Sequence, residues 1–311
     1  MAGIGILETY SSTAGAKEDI LDLITQISPN ETPFLSRAGV SKAIACKHIW
    51  LTQALDNNAT GEAVAEGDSA AANLTQDQTR YNNYTQIDNR VFIISGTEEA
   101  VSHYGLDSMY AYQLEKAMKE LKIKMEKNLI YGSATGAGAA TAAARTLMGA
   151  LAFGITDGTG VSGLASVSAL TESVYNNLLQ YIYADGGNPT HTFVAGYLKR
   201  RISAFASNNA RYIDMGQNKK LTGVVSIYES DFGVQEIVLD RWVTGLGNTG
   251  TDGGCGVVCN MSEMKVAYLR KPFVNPLGND GDRKKTQILV EYTLEALAPT
   301  QVGYLSAFAT A

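Results

Sequence analysis

Cations are in short supply in this chain: 25 Lys and Arg stand against 31 Asp and Glu, for a formal charge of −6 and an isoelectric point near 5.2. Neutralising phosphate takes clustered Lys and Arg, so this balance argues against a surface built to grip nucleic acid or anionic membrane. Cysteine is scarcer still. Cys46, Cys255 and Cys259 are too few and too scattered for a disulfide framework. The segment CGVVC has no second Cys or His pair and reads as a strand, on which residues four apart lie about 13 Å apart, so two buried thiols are expected. The three histidines, His48, His103 and His191, stand alone without a carboxylate or cysteine at ligand spacing. That leaves neither a zinc site nor a His-based triad signalled. No apolar run approaches the roughly 20 residues of a spanning helix. The first residues show no basic n-region and no apolar stretch of signal-peptide length, so a cytoplasmic protein without membrane contact is expected. The five N-x-[ST] sequons, at Asn30, Asn58, Asn73, Asn83 and Asn260, then reflect only Asn- and Thr-rich composition.

Chemical motifs are equally thin. GSATGAG at 132–138 is glycine-rich but lacks the Lys-Ser/Thr of a phosphate-binding loop, and it follows a helical pattern instead of leading from a strand into a helix. The DFG of Asp231–Gly233 has no glycine-rich loop, strand lysine or His-Arg-Asp segment to accompany it, and is read as a turn between strands. No catalytic residue, cofactor site or metal site is indicated.

What is present is an uneven distribution of pattern. At 311 residues and 45% hydrophobic, the chain suffices for two domains, or for one domain with long excursions. Ile20, Leu23, Ile24 and Ile27 recur at helical spacing and predict a short amphipathic helix over residues 16–27, ended by Ser28-Pro29. Pro29 and Pro33 then predict a non-helical strap with Phe34 as its anchor. KHIWLTQAL and TRYNNYTQIDNRVFIISG alternate like strands and are separated by some twenty small and polar residues, a long hairpin arm with too little apolar content for a core of its own. Residues 106–132 carry Leu114, Leu121, Met125 and Leu129 in a narrow stripe. Glu115–Lys119 and Glu120–Lys124 fall in the favourable i, i+4 order, so one helix of about 25 residues, roughly 38 Å long, is predicted across the back of a sheet. The small-residue stretch that follows reads as loop with at most one strand around Met148–Ile155. Beyond it, Thr171 signals the start of a helix stopped by Gly186-Gly187, and THTFVAG, GVVSIYES, QEIVLD, CGVVCNM and MKVAYL read as strands, with a second helix at YLKRRISAF. One long strand over Thr286–Leu297 and a further apolar strand complete an α+β pattern. Excess arms without cores of their own are expected where identical subunits complete one another.

The order of elements and the local strings resemble the major capsid proteins of tailed bacteriophages with the Hong Kong 97 fold. The strings that carry the resemblance are DILDLITQISPNETPFLSRAG, GEAVAEG, RYNNYTQI, QLEKAMKELKIKMEKNLIYG, ADGGNP, YESDFG, YLRKPF and EYTLEALAP, which together span nearly the whole chain. The resemblance implies an N-terminal arm (1–42), an extended hairpin or E-loop (43–95), a peripheral domain with the long spine helix (96–135 and 264–311) and an α/β axial domain (136–263). It implies subunits that self-assemble into hexamers and pentamers of a head shell enclosing double-stranded DNA without sequence-specific binding. Scaffolding, portal and decoration proteins are the implied partners, and a virion assembled in the host cytoplasm is the implied location. Contacts to neighbouring subunits would come from Ile24, Ile27, Pro29, Pro33 and Phe34 in the arm and from Trp50, Glu62, Glu66, Arg80 and Tyr84 in the hairpin. Some shells of this fold are welded by an isopeptide bond from an E-loop lysine, but residues 49–91 contain no lysine, so non-covalent assembly is expected. A shell of a cellular nanocompartment would share the fold, and a small-molecule enzyme using the glycine-rich loop is the reading from a different class.

Overall fold

The computed structural model describes residues 29, 31–53, 65–67, 77–103, 105–136, 144–156, 158–162, 170–205, 226–243, 254–278 and 281–308. A five-residue helix α1 (Pro33–Arg37) and the short strand β1 (Gly39–Lys42) precede an antiparallel pair, β2 (Lys47–Thr52) and β3 (Thr79–Tyr84). After one residue the chain continues as β4 (Gln86–Ser95), turns through α2 (Gly96–Ala100) and enters the spine helix α3 (Met109–Tyr131). Then come β5 (Ser133–Gly136), β6 (Thr146–Met148), α4 (Ala150–Thr156), β7 (Thr159–Ser162), α5 (Glu172–Ala184), β8 (His191–Val194) and α6 (Gly196–Phe205). The chain closes with β9 (Ile227–Ser230), β10 (Gly233–Leu239), β11 (Gly254–Cys259), β12 (Met264–Leu277), β13 (Arg283–Ala296), a 3-10 turn (Pro299–Gln301) and β14 (Gly303–Phe308).

Two sheets organise these elements. The first has the order β1-β12-β13-β4, and α3 packs against its β4 and β13 strands. Ser108 caps α3, its hydroxyl accepting from the Ala111 N–H, and the helix buries Ala117, Leu121, Met125, Leu129 and Ile130 against the sheet. Of the two expected ion pairs along it, Glu115–Lys119 forms at 2.7 Å, whereas Lys124 turns to Asp88 at 3.0 Å and Glu120 to Arg90 at 3.4 Å. Cross-element partners outcompete the intrahelical pair. The second sheet, of order β7-β14-β11-β8-β10-β9, is covered by α5 and α6 over Tyr175, Leu178, Leu179, Ile182, Leu198 and Ile202. Thr171 caps α5 as expected, accepting from the Val174 N–H. Gly233, at φ 121°, makes the turn of the DFG segment between β9 and β10, a conformation open to glycine at little strain.

One expectation of local structure is corrected. Residues 150–156 form helix α4, not a strand, because a short apolar run has no period of its own and packing decides. The glycine-rich stretch is a place of close packing: a Cβ on Gly149 would lie 2.6 Å from the Gly132 nitrogen, and Gly149 N donates to Gly132 O at 2.8 Å. β14 hydrogen-bonds to β11 and β7 in the second sheet. The larger hydrophobic core runs without a break from Ile288, Val290 and Leu294 of the first sheet, through α3, to Phe193, Val238 and Val257 of the second. Both buried CGVVC thiols, Cys255 and Cys259, lie within β11, and burial pushes the Cys259 thiol up to about 12.

Candidate assembly surfaces and their anchorage

The strap lies where the two sheets meet. Pro33 occupies the first turn of α1, where its missing N–H is no loss, so the segment is helical from Pro33 onward and not extended as the prolines suggest. Thr32 makes no side-chain cap, and the free N–H groups of this helix start are met from elsewhere. Glu126, buried on α3, accepts from Phe34 N through Oε1 and from Leu35 N through Oε2, both at 2.7 Å. The Phe34 side chain has no exposed surface and meets Phe193 of β8 edge-on, ring centroids 5.2 Å apart. On one flank the Trp242 indole N–H donates to the Glu31 carbonyl at 2.7 Å, with the Lys127 ammonium 4.5 Å from the centre of the indole. On the other, Arg37 pairs with Glu236 at 2.7 Å, and Glu236 also meets His191 at 3.3 Å. The strap therefore ties the spine helix to the second sheet of the same chain.

Beneath it sits Asp240, also fully buried, whose Oδ1 accepts from Trp242 N at 2.9 Å. Burial, together with the negative charge of Asp240 and against the two N–H bonds, pushes the Glu126 carboxyl up to about 8. Burial also raises Asp240. Two carboxyls this close compete to stay neutral.

A second set of buried polar groups roots the hairpin. Asn83 satisfies its whole amide: Nδ2 donates to Met148 O and Leu294 O at 3.0 and 2.9 Å, and Oδ1 accepts from Met148 N and Tyr84 N, both at 2.9 Å. The sequon at this asparagine is thus closed to a glycan. Thr85 donates to Glu291, whose two oxygens also hold Arg145 at 2.5 Å and Arg270 at 2.8 Å. One strand on, buried Asp88 accepts from Tyr292 OH and Asn128 at 2.7 Å and pairs with Lys124. Burial alone would raise Asp88, but the hydrogen bonds from Tyr292, Lys124 and Gln86 hold it below its usual value. Trp50 closes the root, buried between Tyr81 and Phe153.

Against this geometry the ten residues expected at subunit contacts divide. Phe34 and Trp50 are buried within the single chain, Phe34 against Phe193 and Trp50 against Tyr81 and Phe153. Pro29, Glu66 and Arg80 are exposed, while Pro33 and Tyr84 are half-buried, Tyr84 with the Lys47 ammonium 5.7 Å from its ring centre. Ile24, Ile27 and Glu62, with the predicted helix over residues 16–27, lie outside the described residues. The sequence reading missed Glu126, Asp240, Asn83 and Glu291, the groups that hold both excursions in place. It also missed an open apolar surface. On the face of the first sheet turned away from α3, Ile87, Val91, Ile93 and Phe273 remain 41–51% exposed, with Leu289 paired beside Phe273. Among the described residues no helix is long and apolar enough to cross a membrane, and no group of three or more His, Cys, Asp or Glu is placed to hold a metal ion.

A spine helix on one sheet, a second sheet under two helices and a hairpin rooted between them is an arrangement shared with solved phage shells. The capsid asymmetric unit of cyanophage A-1(L) superposes with a TM-score of 0.69 at 13% identity, over 98% of this chain and all of that one. The capsid of Myoviridae phage XM1 gives 0.63 at 12%, over 99% of this chain and all of that one. These likenesses fix the fold as Hong Kong 97-like. The family model described as SU10 major capsid protein matches residues 7–309. The chain belongs to the SU10 major capsid protein family. Within curated sequences, the major capsid protein of Escherichia phage Phieco32 is 33% identical over 134 residues, 43% of this chain. The match spans 38% of that relative's length.

Proposed function

We propose that this SU10-family protein is the structural unit of a phage head, assembling through hexamers and pentamers into a non-covalent shell around double-stranded DNA. In this reading the N-terminal arm (1–42) and the hairpin (43–95) reach neighbouring subunits. The peripheral domain (96–135 and 264–311) is built on α3 with β12 and β13, and the axial domain (136–263) on α5, α6 and the strands they cover. The observation that carries the reading is the hairpin: Asn83, Thr85 and Trp50 hold its root in the core, while Leu51, Arg80 and Glu66 stand exposed farther out. A two-stranded hairpin is marginal by itself in water, so in this reading the part beyond the root is stabilised by a surface on a neighbouring copy. The open face of Ile87, Val91, Ile93 and Phe273 on an adjacent copy offers apolar area of the right kind.

The glycine-rich 132–138 region supports this structural reading over a nucleotide-binding one, since Gly132 and Gly149 serve backbone packing. The acidic net charge suits a container, because a wall rich in cations would impede the movement of packaged DNA. Scaffolding, portal and decoration proteins are the partners such a shell takes, and host cytoplasm is where it would assemble. The test is electron microscopy and light scattering of the purified chain, concentrated, with and without a scaffolding protein. Shells, hexamers or pentamers that dissolve to single chains on a boiled denaturing gel are expected. A homogeneous monomer under every condition overturns the assembly reading, and covalent ladders overturn its non-covalent form.

A further inference from the structure

The floor beneath the strap contains an unusual accounting of hydrogen-bond acceptors. Glu126 Oε1 and Oε2 and Asp240 Oδ1 each receive a backbone N–H, from Phe34, Leu35 and Trp242 respectively. Asp240 Oδ2 is buried with no donor among the described residues. Each carboxyl stands close enough to the other to shift its proton affinity. If both were ionised, two like charges would share one dry site that also holds an unsatisfied oxygen. A single proton held between the two removes one charge and gives Oδ2 its partner.

We propose that the Glu126–Asp240 pair is a proton-operated latch: one shared proton clamps the strap, residues 31–37, onto the junction of spine helix and second sheet, and its loss to solvent loosens the strap. The surrounding charges leave the pair to itself. On the strap, Glu31 adds negative charge facing Asp240, and Arg37 is engaged by Glu236 on β10. On α3, Lys127 lies over the Trp242 ring; on the turn after β10, Arg241 reaches Glu31 at 3.9 Å; on β8, His191 meets Glu236. None of these cations is paired with either carboxyl among the described residues. The sign follows from the proton count. With the strap closed the pair keeps a proton up to about pH 8, whereas with it open the carboxyls titrate near their ordinary values. The open state therefore binds fewer protons across that window, and closure weakens as pH rises.

The latch lies within one chain and its readout needs no shell, so it stands or falls separately from the assembly reading. The experiment is amide hydrogen exchange by mass spectrometry on the dissociated 311-residue chain, following the peptide that contains Phe34 and Leu35 and correcting for the intrinsic pH dependence of exchange. The opening constant is expected to rise about tenfold per pH unit between roughly pH 5 and 8 and to level off above. Asp240→Asn replaces the shared proton with a permanent N–H donor to the Glu126 carboxylate, and its profile is expected to be flat and protected throughout. A flat wild-type profile, or an Asp240→Asn profile with the wild-type slope, overturns the latch. A carbon-13 carboxyl titration of the unsubstituted chain gives a second reading that does not depend on the variant folding. A side-chain carboxyl resonance that moves only near pH 8 is expected, and titration of every carboxyl below pH 6 overturns the proposal.

Discussion

Replacing Phe34 by Ala separates two roles for the strap, an anchor on a neighbouring subunit or a plug in the chain's own core. The ring has no exposed surface and sits edge-on to Phe193 at 5.2 Å, in the core that joins the two sheets. The hydrogen bonds to Glu126 come from backbone N–H groups and survive the substitution, so the loss is one of packing. A buried Phe→Ala change costs about 3–5 kcal/mol, the lost transfer energy plus the cavity left behind. Denaturant unfolding of the dissociated chain, followed by circular dichroism, is the assay. The midpoint should fall by that amount divided by the slope, with the slope unchanged. A double-mutant cycle with Phe193→Ala should show coupling, because the two rings touch. A loss below about 1 kcal/mol, the scale of a surface substitution, would refute the reasoning and return Phe34 to the neighbouring subunit.

Two further outcomes follow from the same structure. Gly149→Ala places a methyl against backbone atoms of Gly132 and Ile130 that cannot swing away, so a loss of about 1–3 kcal/mol in unfolding free energy is expected, with no change in net charge. Asp88 is held below its usual value in the fold, so its contribution is present above the ordinary carboxylate range and is lost as pH falls through the lowered value; an acid titration of stability should show this loss in the wild type and not in Asp88→Asn.

The parts of this fold that were legible in the sequence are those whose signals are local. The spine helix announced itself by the Leu114–Leu121–Met125–Leu129 stripe and formed over Met109–Tyr131, close to the predicted span. The two hairpin strands, the Thr171 cap and the DFG turn carried their own chemistry. The strap was misread because Pro33 was taken only as a helix breaker, when proline is at home in a first turn. Glu126 was passed over as one charge among many on a helix rich in Lys and Glu. Its place three residues before Leu129 and four before Ile130 puts it on the buried arc, a signal that spacing offered and composition hid. What no local pattern offered was its partners: Phe34 lies 92 residues away, as Leu294 lies 211 from Asn83 and Glu291 lies 206 from Thr85. Those distances share a physical logic. Apolar contact alone fixes that two elements are near each other, because burial is non-directional. A buried amide or carboxyl with every acceptor and donor matched also fixes their orientation, since rotation leaves polar groups unpaired in a dry site. An arm that must meet a surface on another copy needs its direction set before the encounter. At the roots of both the strap and the hairpin, such groups fix the direction in which the chain leaves the core.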